Sequence, residues 1–397
     1  MRFLHTSDWH LGRTLHGVDL LDAQRDVLDQ ICRLVAQPPD GVPVDAVLIA
    51  GDVYDRAVPP VEAVTLFSEV LTELAEHTTV IVTSGNHDSA IRLGFGARLF
   101  RDRIRLHTEL ADVGTPVLLD GADGDVAIYP LPYLDPDAAR IALSPDGKPL
   151  ERSHQSVMTA AMDRVRHDLA GRPAARSVVL AHAFVVGGAV SDSERSIMVG
   201  GVDSVAADTF AGVDYVALGH LHGAQQPRTR TATTLAYAGS PLRYSFSELA
   251  HTKSVNLVEL TADGAVSVTA LPLAQPRGMA ELTGTLAELL AGDAHAEDWV
   301  SVTVTDRSRP EQAWERLRAR FPHLLHVEFA PAGASLAGVR VEQLLVERNP
   351  RDLGGDFISQ VTGNPASVEE LELFEQAYRA ALADLALAEV RQTRTKR

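Results

Sequence analysis

The sequence predicts an α/β fold in which sheet layers are covered by helices, followed by a smaller α/β unit and C-terminal helices. Three observations predict it. Short β-type runs alternate with longer helical patterns through the first half of the chain. At 397 residues the chain exceeds the roughly 100 to 200 of one domain. Near residue 275 the pattern changes, after two β-type runs joined by Asp263-Gly264, a dipeptide suited to a tight hairpin.

The first strand is expected at Arg2 to Thr6. Leu20, Leu21, Val27, Leu28, Ile31, Leu34 and Val35 then recur at helical spacing and give one apolar stripe. A second strand covers Asp45 to Ala50, and Pro59 and Pro60 open a helix that runs to about Ala75, since proline is tolerated in a first turn. Strands at Val80 to Thr83, Ser177 to Ala181 and Asp214 to Leu218, a helix at Glu151 to Leu169, and the hairpin complete a unit of residues 1–275. Beyond it the pattern reads helix (Ala280 to Leu290), strand (Trp299 to Thr305), helix (Glu311 to Arg320) and strand (Leu324 to Phe329), a unit of residues 276–335. Residues 345–391 carry two helical signals. Asn349-Pro350 opens one with Leu353, Phe357 and Val361, and a Ser367/Glu370 capping box opens the other with Leu371, Phe374, Tyr378, Leu382 and Leu385. Both apolar faces need a surface to cover.

Composition narrows the class. With 45% hydrophobic and 22% charged residues the chain can bury a core, which excludes a disordered or collagenous protein. A single cysteine, Cys32, closes no disulfide within the chain and builds no thiolate zinc cluster; beside the first helical stripe it reads as a small core-flanking residue. The first ten residues carry charge and histidine where an export signal needs an apolar run of about 7 to 15 residues. The longest apolar stretch, Val178 to Val190, is broken by His182 and two glycines, short of the ~20 residues of a membrane span. A cytoplasmic protein with no membrane association is expected. The formal charge of −17 argues against broad adhesion to a polyanion, so any nucleic-acid activity rests on local features.

Those features follow the expected strands, at the carboxyl edge where ligands bind in layered α/β sheets. After the first strand come Asp8 and His10, whose spacing lets both side chains leave an extended segment on one side. After the second come Gly51, which permits a sharp turn, and Asp52. After the third come Asn86, His87 and Asp88; alone this cluster would read as an Asx turn with a helix cap. His182 closes the fourth run, and Gly219-His220-Leu221-His222 closes the fifth. A lone histidine there is more often a hydrogen-bonded core residue, but five strand ends offering Asp8, His10, Asp52, Asn86, His182, His220 and His222 point to metal. Seven ligands exceed what one open catalytic ion needs. Two ions fit, with Asp52 as the bridging carboxylate across the roughly 3.5 to 4 Å typical of two-metal sites. Oxygen and nitrogen donors without sulfur suit manganese or iron better than magnesium.

The order Asp8-x-His10, Gly51-Asp52, Gly85-Asn86-His87-Asp88, His182, Gly219-His220-x-His222 resembles the signature of the calcineurin-like metallophosphoesterases. The segments Asp8 to Gly12, Gly51 to Asp55, Ser193 to Arg195 with Val199 to Gly201, Ala217 to His222, and Ala238 to Leu242 through Ser245 to Glu248 narrow the likeness to that family's nuclease subunits of double-strand-break repair. The likeness is dense to about residue 260. It implies a layered β-sandwich flanked by helices and two Mn2+ ions, with Mg2+ or Fe2+ as alternatives. One ion is then held by Asp8, His10, Asp52 and His222, the other by Asp52, Asn86, His182 and His220. His87 is left to face the scissile phosphate, stabilise the transition state and protonate the leaving oxygen, since departure of an alkoxide needs a proton. Asp88 either orients His87 or caps a helix.

The resemblance further implies 3′ to 5′ exonuclease action on duplex ends and endonuclease action on single strands and hairpins. It implies a homodimer inside a heterotetramer with an SMC-type ATPase, a DNA-facing cap in residues 276–335, ATPase docking by the C-terminal helices, and residence at the nucleoid. Arg92, Arg98, Arg101, Arg103 and Arg105 form a basic stretch in an acidic chain, either a DNA-backbone contact or a solvated surface. The chain-terminal Arg391, Arg394, Lys396 and Arg397 are explained equally by a frayed tail. Two competing functions remain at this point: a small-molecule phosphodiesterase or phosphatase of the same family, and a noncatalytic scaffold.

Overall fold

The computed structural model describes residues 1–397 apart from 101–102, 122, 173–174, 195–203, 332–349, 363 and 380–397. The chain divides into two compact units, Met1–Arg277 and Gly278–Arg397. The first runs β1 (Arg2–Thr6), α1 (Leu21–Ala36), β2 (Ala46–Ala50), α2 (Val61–His77), β3 (Thr79–Thr83), α3 (Ala90–Leu93), β4 (Ile104–His107), β5 (Val117–Leu119), β6 (Val126–Pro130), α4 (Pro136–Ala142), α5 (His154–Ala170), β7 (Arg176–His182), β8 (Tyr215–Gly219), β9 (Thr234–Tyr237), β10 (Ser254–Leu260) and β11 (Val266–Pro272).

These strands form two sheets, ordered β11-β10-β1-β2-β3-β4 and β9-β8-β7-β6-β5. β1 to β4 pair in parallel, as do β6 to β9, and the hairpin β10–β11 adds antiparallel to β1. Parallel strands covered on both faces read as continuous apolar runs. β2 shows how alternation serves two layers. Ala46 and Leu48 point between the sheets with Phe3, Ile81, Val178, Leu180 and Ala217. Val47 and Ile49 point the other way, onto α1 and α2, where Val27, Leu28, Ile31, Leu66, Phe67 and Val70 cover them. Truncating a side chain such as Leu48 to alanine costs about 2–5 kcal/mol in such a core. Val157, Ala161 and Val165 of α5 cover the second sheet in the same way. The layered sandwich with flanking helices is therefore the architecture. Cys32 is buried in the α1 layer, and burial pushes its thiol up to about 12.

The second unit opens with three parallel strands, β12 (Met279–Gly284), β13 (Trp299–Val304) and β14 (Leu324–Phe329), with α6 (Leu286–Leu290) and α7 (Ala313–Arg320) between them. The helix expected over Ala280 to Leu290 is corrected in its first half. Residues 279–284 pair with β13, and the helix starts only at a Thr285/Glu288 capping box. Ala, Glu and Leu favour helix locally, but ladder formation and burial of Ala280 against the sheet override that preference. In α8 (Pro350–Thr362), Arg351 pairs with Glu375 at 3.5 Å, and Gly354 leaves room for the Phe374 ring of the helical stretch 368–379. The two C-terminal helices thus cover part of each other. Phe357, Val368 and Leu373 stay exposed, and Leu382, Leu385 and the basic residues from Arg391 onward lie outside the described residues.

Candidate metal centre

Each candidate ligand sits on a loop at the carboxyl end of a strand, or on the strand's last residue, as His182 does on β7. The loop after β1 is zipped to the loop after β2 by backbone bonds from Asp8 N to Gly51 O (3.1 Å), His10 N to Asp52 O (3.0 Å) and Leu11 N to Val53 O (2.9 Å). Trp9 and Leu11 are buried in the α1/α2 layer, and the Trp9 indole donates to Thr6 Oγ1 at 2.9 Å. Asp8 and His10 reach one site, but not from an extended segment. Both are left-handed, with φ of 55° and 45°, as are Asp52 at 51° and His220 at 107°. Four of the seven non-glycine residues with positive φ among the described residues are thus candidate ligands. Each such conformation costs on the order of 1–3 kcal/mol and persists only where its surroundings over-determine it. At Gly219 the sheets approach so closely that a Cβ would overlap Ala50 O.

The side chains converge in a buried cluster. Asp52 Oδ1 accepts the His87 backbone N–H at 2.9 Å, which leaves Oδ2 between His182 Nε2 at 3.3 Å and His10 Nε2 at 3.6 Å. Asn86 Oδ1 lies 2.9 Å from His182 Nε2 and 3.3 Å from His220 Nδ1. His10 Nε2 and His222 Nε2 stand 3.0 Å apart. Asp8 accepts from Ser7 Oγ and from His220 N, and its carboxylate belongs both to a cluster with His10 and His222 and to one with Asp52 and His182, each with ligand atoms within 4.8 Å of one another. Converging lone pairs on buried nitrogen and oxygen atoms are what a divalent cation requires, so the residues fit the group.

The electrostatics agree. Burial alone would raise Asp52, but His182 and His10 beside it hold its carboxyl well below the usual range. Burial would lower His182, yet the Asp52 carboxylate outweighs that and pushes it up to about 9. Asp8 is raised to about 6, chiefly by burial, and His220 is lowered to about 3 by burial and by neighbouring His182. The proton on His182 therefore offsets Asp52, and a divalent cation held by these residues would supply that positive charge instead, so its binding would be linked to proton release.

His87 reaches the same centre. Its Nδ1 donates to Asp55 O at 2.7 Å, its ring lies 4.6 Å from that of His10, and its Nε2 is 4.0 Å from Asp52 Oδ2. Asp88 does neither of the two things expected of it. Its carboxylate accepts from the backbone N–H groups of Gly85, Val53 and Tyr54 at 2.9, 3.1 and 2.9 Å, tying the β2 and β3 loops together. The cap of α3 is Ser89 instead. The arginines are largely engaged by this chain. Arg92 donates to Ala57 O, Arg98 pairs with Glu109, Arg103 caps the end of α2 through Ala75 O and Glu76 O, and Arg105 lies along its own strand, half-buried. Arg101 lies outside the described residues.

Residue types alone did not mark Asp55, whose carboxylate lies 3.8 Å from His10 Nδ1, nor Ser193, Glu194, Glu248 and Lys253, which surround His222. Ser193, Glu194 and Glu248 belong to motif segments, but no spacing rule says that they meet.

A family model described as calcineurin-like phosphoesterase matches residues 1–224, and one described as type 5 capsule protein repressor C-terminal domain matches residues 275–362. The chain is 33% identical over 393 residues to the SbcD subunit of nuclease SbcCD from Bacillus subtilis (strain 168), a match covering 94% of this chain and 96% of that protein.

Proposed function

Because the chain belongs to the calcineurin-like phosphoesterase family, and within it to the SbcD nuclease subunits, we propose that it is a DNA phosphodiesterase that uses Mn2+ and acts with an SbcC-like SMC-type ATPase in DNA repair at the nucleoid. The observation that carries this reading is the convergence of His10, His182 and His87 on the two oxygens of one buried carboxylate, Asp52, with Asn86 Oδ1 beside His182 and His220. Asp8, His10, Asp52 and His222 would hold one cation, and Asp52, Asn86, His182 and His220 the other. When bound, the cations supply Lewis acidity and a water acidic enough to serve as nucleophile near neutrality. His87, fixed through Nδ1 on Asp55 O, offers Nε2 toward the same centre. A proton held there serves the departing oxygen of the substrate.

Labelled hairpin and duplex DNA with Mn2+ test the reading. Cleavage at hairpin tips and 3′ to 5′ shortening of duplex ends are expected. Intact DNA beside cleavage of a small phosphodiester would favour the small-molecule alternative.

The exposed Phe357, Val368 and Leu373 on the C-terminal helices favour docking on the ATPase by residues 345–391. Deletion of everything after residue 345 should abolish association with SbcC and leave Mn2+-dependent cleavage of small diesters; retained association refutes the docking. No helix among the described residues is long and apolar enough to cross a membrane. Val58, Val61, Ile91 and Phe95, exposed at the start of α2 and on and after α3, supply a surface for the homodimer, which light scattering of the purified chain tests.

A further inference from the structure

His222 is held at every polar atom except the one that faces the metal centre. Its backbone N–H donates to Glu194 Oε1 at 2.7 Å, and its carbonyl accepts from Lys253 Nζ at 2.9 Å and from Ser240 N at 3.2 Å. Its Nδ1 lies 2.6 Å from Ser193 Oγ and 3.3 Å from Glu248 Oε1, and the Ser193 hydroxyl also bonds Glu248 Oε1. The other Glu248 oxygen accepts from Lys253 Nζ at 2.5 Å and from Tyr244 N at 3.3 Å. Glu248 is wholly buried and Lys253 nearly so.

The order of protons along this chain follows from one fact: an ionised carboxylate has no hydrogen to give. Lys253 and the Tyr244 N–H keep Glu248 an acceptor. Ser193 must then point its hydroxyl hydrogen at Glu248, so the serine turns a lone pair toward His222. Nδ1 of His222 therefore carries the imidazole hydrogen, and Nε2 is left as a bare lone pair 3.0 Å from His10 Nε2. Partners of this kind fix the tautomer and ring orientation of metal-binding histidines. We propose that Glu248, acting through Ser193 and balanced by Lys253, is a positioning residue that locks His222 in the Nδ1–H tautomer and so sets the affinity of the cation site His222 shares with Asp8 and His10. This rests on the reading of His222 as a metal ligand given above.

Glu248→Gln reverses the proton order. Lys253 and the Tyr244 N–H are the stronger claim on the amide oxygen, so the amide NH2 faces Ser193, the serine hydroxyl turns to Nδ1, and the hydrogen of His222 moves to Nε2. Ser193→Ala is the milder variant, since it leaves the Glu248–Lys253 pair intact. Titration of the full chain with Mn2+, followed by electron paramagnetic resonance of the free ion, should show one of two sites weakened by roughly 10- to 100-fold in both variants and the other unchanged. The 15N shifts of 15N-histidine-labelled, metal-free protein should report a protonated Nδ1 for His222 in the wild type and a protonated Nε2 in Glu248→Gln. Unchanged affinity at both sites in both variants, or an unaltered His222 tautomer in Glu248→Gln, overturns the proposal. Wild-type protein that takes up no Mn2+ overturns the ligand reading itself, a result obtained before any variant is compared.

Discussion

Asp52 Oδ2 lies 3.3 Å from His182 Nε2, both side chains buried, and the carboxylate raises the imidazole to about 9. The same oxygen faces His10, so Asp52 lies between histidines of both proposed cation sites. Asp52→Asn keeps the volume and removes the charge. Mn2+ content should fall from two ions per chain to one or none, and nuclease activity by more than the roughly 10- to 100-fold lost when only an outer partner of a ligand is changed. Two ions retained with full activity would sink the bridging role.

His87→Ala separates acid from ligand. Asp52 is oriented by the His87 backbone N–H, which alanine keeps, so both cations should remain. Turnover should fall on the order of 100-fold or more, the loss expected for a positioned acid. Metal analysis beside the rate decides it: lost metal makes His87 a ligand.

His5 gives a pH dependence away from the centre. It is fully buried, meets Tyr215 OH through Nδ1 at 2.8 Å, and is pushed down to about 3 by burial. Unfolded, it titrates near 6.5. Between pH 6.5 and 3 the unfolded chain binds a proton that the folded chain refuses, so stability is complete above 6.5 and declines as the pH falls, by about 1.4 kcal/mol per pH unit for this group. Urea unfolding of His5→Gln should show a shallower loss between pH 6 and 4 than wild type. Parallel curves would assign the acid sensitivity elsewhere.

Gly219→Ala probes the sheet contact. A Cβ there overlaps Ala50 O and comes within 2.8 Å of His182 Nδ1. The sheets must part locally, at about 1–3 kcal/mol, and the His182–Ala50 bond of 3.0 Å should weaken with them. Equilibrium unfolding of the variant reads the cost, and wild-type stability would contradict the close approach.

Much of this arrangement is local in the sequence and therefore legible there. β1, β2, β3 and β8 lead directly into the loops that carry candidate ligands and β7 ends on one, so a strand-end rule finds both the strands and the chemistry. β5 and β9 are short, and β6, although apolar from Val126 to Tyr129, ends on Pro130, which reads as a breaker. Residues 279–284 begin with the helix formers Met, Ala, Glu and Leu and become a strand through pairing and the burial of Ala280. The left-handed backbone at Asp8, His10, Asp52 and His220 comes from loop-to-loop bonds between distant segments. The partners of His222 Nδ1 are 26 and 29 residues away from it, and no residue type predicts that they meet.

Anomalous diffraction from crystals soaked in Mn2+, recorded at the manganese edge, decides whether one carboxylate serves two cations. Two peaks are expected, one on each side of Asp52, the first beside His10 and His222 and the second beside Asn86, His182 and His220. A single peak with Asp52 turned away, or none, would contradict the bridging arrangement.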